Sequence, residues 1–116
     1  MKKWNILDQV GEVCITIDDG EKVYDLIHPE LMAGRPVELD FAGVKVAGAL
    51  FFNYAIGRLL DNLTTEDLER LLKMSNLTPL GRDTLKLVIK HSNEYYRDPV
   101  VRKAVDEILS EQLEEL

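Results

Sequence analysis

The chain has a single cysteine, Cys14, among its 116 residues. No internal disulfide can form, and a reducing compartment is the natural setting. Cations are in the minority: 14 Lys and Arg against 21 Asp and Glu give a net charge of −7. Broad binding to a phosphate backbone needs clustered Lys and Arg, so no nucleic-acid partner is expected. Hydrophobic runs are short. Arg58 and Asp61 interrupt the longest one, which therefore falls below the roughly 20 apolar residues that span a bilayer, and no membrane partner is expected. The opening residues Met1 to Asn5 lack the apolar run of a signal peptide, so the expected location is the cytoplasm. Only two histidines occur, His28 and His91, far apart. With Cys14 they do not have metal-ligand spacing. A Gly-x-x-x-x-Gly-Lys phosphate loop is also missing. No cofactor is called for.

What remains is an ordinary globular composition, 46% apolar and 30% charged, long enough for one domain with its own core. Two short β-like runs, Trp4–Leu7 and Val13–Ile17, flank Gly11-Glu12 and predict a hairpin. Val13, Ile15 and Ile17 alternate with Cys14 and Thr16, so one face of that strand is expected to be more buried than the other. Asp18-Asp19-Gly20 ends the strand, and either Asp can cap the next helix. From Glu21 to Ala33, Val23, Leu26, Ile27 and Leu31 have helical spacing. Pro29 predicts a kink or a break into two pieces, and Gly34 predicts the end.

Val37 to Phe41 reads as a strand between two helices, the rhythm of a parallel sheet. The helix after Gly48 carries Leu50, Phe51, Phe52, Tyr54, Ala55, Ile56, Leu59 and Leu60, and is expected to be buried on more than one face. Each such side chain contributes about 1.5–3 kcal/mol on full burial. Thr64-Thr65-Glu66-Asp67 marks a helix start, Lys73–Leu77 a brief strand, and Thr78-Pro79 a further helix start. That helix runs to about Tyr96 and is expected to bury Leu80, Leu85, Val88, Ile89 and Tyr95. After Asp98-Pro99 a last helix, Val100 to about Leu113, aligns Val101, Ala104, Val105, Ile108 and Leu109, a stripe that packs on the domain or on a second chain. The acidic residues Asp106, Glu107, Glu111, Glu114 and Glu115 read as a solvated face.

Four stretches together resemble a known family. They are Gly20 before the first helix, Val37-Glu-Leu-Asp-Phe-Ala-Gly-Val44, the run Phe51-Phe-Asn-Tyr-Ala-Ile-Gly-Arg-Leu-Leu60, and Ser75-Asn-Leu77 before a helix ending Glu94-Tyr-Tyr96. The chain is similar to STAS domains (sulphate transporter and anti-sigma factor antagonist), and more closely to a small bacterial STAS-like family of unknown function. The resemblance implies an α/β fold with a mixed sheet, helices packed mainly on one face, and an added C-terminal helix: one domain over 1–116 with its core at about 13–96. It also implies a regulatory module that binds a protein, with a histidine-kinase-like ATPase of the anti-sigma type as partner. In antagonists of this fold an Asp-Ser pair opens the helix after the central strand, and phosphorylation of the serine breaks the complex by adding about −1.5 to −2 charge. Here Gly48 and Ala49 occupy those positions and Leu50 comes next, so no phosphate acceptor stands there.

The expected partner-binding residues are accordingly Gly43, Lys45, Gly48, Ala49 and Asn53, in a non-enzymatic module. The alternative is a small-molecule or anion (nucleotide) sensor that uses the amides at the start of the Ala49 helix. Asp40 either accepts hydrogen bonds from the amides of Gly43 to Lys45 or points to the solvated face. Cys14 is either an inert core thiol or half of a nucleophile pair with His91. A homodimer through the apolar surplus of the Phe51 helix or the last helix is a further expectation.

Overall fold

In the computed structural model, residues 1–114 are described. The order is β1 (Lys2–Asn5), α1 (Ile6–Gln9), β2 (Val13–Cys14), α2 (Ile17–Met32), β3 (Val37–Asp40), β4 (Val46–Ala47), α3 (Ala49–Ala55), a 3₁₀ turn (Gly57–Asp61), α4 (Thr65–Leu71), β5 (Leu72–Ser75), α5 (Pro79–Arg97) and α6 (Pro99–Glu114). The α/β class and the alternating order agree with the expectation.

β3 is the centre of a three-stranded sheet ordered β1-β3-β5, parallel throughout. The pairing sets Lys3, Glu38 and Lys73 side by side, and likewise Trp4, Leu39 and Met74. Because side chains alternate along a strand, the first set makes one face polar. Lys3 lies 3.9 Å from Glu38 and 3.3 Å from Asp40, Lys73 lies 3.9 Å from Glu38, and the Ser75 hydroxyl donates to Glu38 at 2.7 Å. The second set faces the core with Val37 and Leu72. Helices therefore cover one face, and an ion-pair network finishes the other.

Two expectations are corrected here. There is no hairpin at Gly11-Glu12. The chain turns through α1, which buries Ile6, so β1 pairs with β3, while β2 pairs with β4 in a separate two-residue parallel ladder (Val13 opposite Val46, Cys14 opposite Ala47). In place of one mixed sheet there are two parallel ones. The alternation at 13–17 also buries the opposite set from the apolar one: Cys14 is fully buried, while Val13 and Ile15 are each 48% exposed.

α2 starts earlier than expected. Thr16, not either Asp, caps it, its hydroxyl accepting from the Asp19 amide at 3.1 Å, with Asp18 and Asp19 in the first turn where the helix dipole favours them. Pro29 sits near the end of one uninterrupted helix; its missing amide forfeits the bond to the Asp25 carbonyl, and the helix runs on for less than one more turn. Gly34, at φ +75°, ends it as expected.

α2 and α3 pack against each other at Gly20. A Cβ there would lie 2.7 Å from the Phe51 carbonyl oxygen and 2.8 Å from Tyr54 Cβ, so only glycine permits this approach. Below the contact lies the core, in which Phe51, Phe52, Val23, Ile27, Leu39 and Leu59 are fully buried. The Phe51 and Phe52 rings meet edge-on at 5.5 Å.

α4 opens with a capping box in which Thr64 and Asp67 exchange hydrogen bonds. α5 opens at Thr78-Pro79 as its sequence demands, with the Thr78 hydroxyl accepting from the Gly81 amide at 3.0 Å. It buries Leu85 and Val88 and part of Ile89, but Leu80 is 76% exposed. α6 begins after Asp98 and holds to α5 through the Tyr95 hydroxyl, which donates to Asp106 at 2.8 Å. Its stripe is only partly covered: Val105, Ile108 and Leu109 remain exposed. Asp106, Glu107 and Glu111 of the acidic tail face solvent; the Glu114 side chain and Glu115 lie outside the described residues.

Candidate functional site

The loop from Phe41 to Gly48 leads from the central strand to α3, and Asp40 fixes its exit. That carboxylate accepts from the Ala42 amide at 2.9 Å and the Asn76 side-chain amide at 2.8 Å, with Lys3 at 3.3 Å. It is nearly buried. The Asn76 bond, then the Ala42 amide, then Lys3 hold its carboxyl below the usual carboxylate range. Asp40 therefore takes its bonds from Ala42 rather than from Gly43 to Lys45, and its role is to brace the loop.

Gly43 adopts φ +82°, and a Cβ there would press on the Leu7 side chain at 2.8 Å. Val44 is buried as the loop's anchor. Lys45 is exposed and pairs with Glu12 at 3.3 Å. The Lys45 and Val46 amides both bond the Glu12 carbonyl, and the Gly48 amide bonds the Cys14 carbonyl at 2.9 Å. The loop is thus tied to β2 by its backbone.

At Gly48 the conformation is ordinary (φ −97°), and a Cβ would meet Ile15 at 3.6 Å, normal contact distance. The backbone would accept a side chain there. The helix start nonetheless has no hydroxyl or carboxylate, and no side chain caps α3. Ala49 and Leu50 are exposed. Asn53, one turn on from Ala49, shares its face and looks towards α5, where its side-chain oxygen receives the Ser92 hydroxyl at 3.4 Å. Gly43, Lys45, Gly48 and Ala49 thus line one loop, while Asn53 stands at the edge of a second region between α3, α5 and α6.

Residues that sequence reasoning did not select complete this surface. Val13, Ile15, Val46 and Leu50 are 48%, 48%, 49% and 48% exposed. Val13 and Val46 are register partners, Ile15 touches Gly48, and Leu50 sits in the first turn of α3. Four half-exposed aliphatic side chains thus stand about the loop. The signal was present in the sequence as an apolar alternation, but it pointed outward.

Cys14, on the inner side of the ladder, is fully buried, and its nearest polar partner is the Gly11 carbonyl. Burial first, then the Asp19 carboxylate, pushes its thiol up to about 11, which leaves almost no thiolate at neutral pH. His91 opens instead onto the α3–α5–α6 region, so the structure does not bring the two together. No helix among the described residues is long and apolar enough to cross a membrane.

A family model described as a STAS-like domain of unknown function (DUF4325) matches residues 19–82, from the first turn of α2 into the first turn of α5. No curated protein and no solved structure matches the chain. The loop residues Gly43 to Asn53 fall inside the matched span; Val13 and Ile15 lie before it, and most of α5 and all of α6 lie after it.

Proposed function

The chain belongs to the family of STAS-like domains of unknown function, and on that footing we propose that it is a non-enzymatic protein-binding module of bacterial regulation. Its docking surface is the β2–β4 ladder together with the Gly43–Ala49 loop. The observation that carries this reading is the set of half-exposed aliphatic side chains, Val13, Ile15, Val46 and Leu50, around Gly48. Scattered exposed aliphatics are common, but a contiguous group at one loop is the usual mark of a contact surface. Lys45 and Glu12 supply a charged rim.

Two groups with catalytic potential are otherwise engaged: Asp40 is held by Ala42, Asn76 and Lys3, and Cys14 is buried. A histidine-kinase-like ATPase of the anti-sigma type is the partner suggested by the family resemblance. With Gly48, Ala49 and Leu50 at the helix start, such a contact would not be released by phosphorylation there. The anion-sensor alternative has only a two-turn helix and a lysine already paired with Glu12 to draw on.

The test is a pull-down with the unaltered chain, followed by calorimetric titration of the protein it recovers against Ile15→Asp, Val46→Asp and Ala49→Asp, each checked for folding by circular dichroism. Affinity should fall by at least about tenfold in each, because a charge is forced into an apolar contact. Full affinity in all three folded variants would rule out this surface.

A further inference from the structure

A second region carries its own reading, independent of the docking surface. α6 leans on α5 without closing against α3, and leaves a groove of about 480 Å³. The α3 side supplies Asn53 and Tyr54, and the 3₁₀ turn supplies Arg58. α5 supplies His91, Ser92, Tyr95 and Tyr96, and α6 closes the far wall with Val105 and Leu109. No Asp or Glu lines it, in a chain of net charge −7. Its cation, Arg58, is held in place by aromatic faces: the guanidinium lies 4.2 Å from the Tyr24 ring centre and 6.0 Å from that of Tyr54. Tyr24 is fixed in turn by stacking on His28 at 4.8 Å.

Among the described residues Arg58 has no carboxylate within ion-pair distance. Burial first, and then the charge of Asp61 on the same turn, raises the hydroxyls of Tyr24 and Tyr96, with Asp25 acting on Tyr24 as well; Asp61 and Asp25 are both exposed and neither pairs with Arg58. A half-buried, positioned guanidinium with no ion-paired carboxylate among the described residues, facing a groove walled by tyrosines and aliphatics, has the make-up of a small-molecule site.

We propose that this groove binds a small amphipathic anion, a flat apolar body between the tyrosines and the Val105–Leu109 wall with its acidic head on Arg58. Such a ligand would also hold α6 to the core, completing contacts that the apolar stripe of α6 leaves unmade.

The probe is 1-anilinonaphthalene-8-sulfonate, titrated by fluorescence into the full chain beside N-phenyl-1-naphthylamine, which has the same aromatic body without the sulfonate. Arg58→Gln should weaken the sulfonate by about tenfold, the effect of losing a charge-assisted contact, and leave the neutral dye unchanged. Arg58→Lys should retain most of the sulfonate binding, and Leu109→Asp should weaken both dyes. Unchanged sulfonate affinity in folded Arg58→Gln overturns the proposal. So does binding that is lost in Ile15→Asp and kept in Leu109→Asp, because the dye would then be reading the β2–β4 surface. Should Arg58→Gln fail to fold, Val105→Trp, which fills the groove, decides: retained sulfonate binding would overturn the proposal equally.

Discussion

The α2–α3 seam and the β2–β4 ladder are joined by a single turn, from Gly48 into α3, yet they are built in opposite ways. At the seam, Gly20 admits the α3 backbone so closely that even a methyl group has no room, and the aromatic rings beneath it are fully buried. In the ladder, two residues pair with two, and the aliphatic side chains on its outer side remain half in water. Apolar residues of similar type therefore serve different ends. Those of the seam hold the domain together, whereas those of the ladder contribute little to stability and are available to something else.

Substitutions can break or sharpen that contrast. Phe51→Ala at the seam should have the largest effect, about 3–5 kcal/mol of lost stability, read as a lower urea midpoint at unchanged slope. Gly20→Ala should come second at about 1–3 kcal/mol, because the added methyl meets the Phe51 carbonyl oxygen, a backbone atom that cannot rotate away. If Gly20→Ala were neutral, the two helices would have room to separate at the seam.

Asp40 stands outside both regions, at the end of β3 where the loop to the ladder begins, and its carboxyl is held below its ordinary range by Asn76, the Ala42 amide and Lys3. Its share of stability is therefore in place above the ordinary carboxylate pKa and is lost as pH falls through the lower folded value. Acid titration of the urea midpoint should show that loss, and Asp40→Asn should reduce it. The smallest effect belongs to the ladder: Ile15→Asp should change stability by no more than about 0.5 kcal/mol. A cost approaching that of Gly20→Ala would show that the ladder is part of the core after all.

The sequence was most legible where a single local rule decides the outcome. Thr78-Pro79, Thr64 to Asp67 and Gly34 each mark a helix boundary by their own chemistry, and the run at Val37 could only be a buried strand. It was least legible where pairing is non-local. Gly11-Glu12 has the look of a turn between adjacent strands, but nothing near it in sequence reveals that β1 pairs with β3 and β2 with β4. A two-residue strand such as Val46–Ala47 has no periodicity to read. The alternation at Val13 to Ile17 was visible, but which set faces inward depends on the partner strand, and that choice buried the small Cys14.

Leu80 fits the same explanation. The Thr78 cap fixes the phase of α5, and that phase turns Leu80 outward while Leu85 and Val88 turn in. For the candidate site, the loop glycines, Lys45 and Ala49 could be named from the resemblance. The aliphatic side chains about them and the Arg58 groove depend on elements brought together from distant parts of the chain.

The ladder also implies an order in time. It joins residue 13 to residue 46, so all of α2 and β3 lies within the loop it closes. The entropy of closing that loop has to be offset before four residues of pairing can hold, and the packing of α2 on α3, the most extensive contact between elements among the described residues, is the main source. The ladder should accordingly form after the seam during refolding and open before it in the native state. In hydrogen exchange the amides of Lys45, Val46 and Gly48 should then trade their protons well ahead of those in the middle of α2, so that the surface proposed to meet a partner is also the part of the chain that comes apart first.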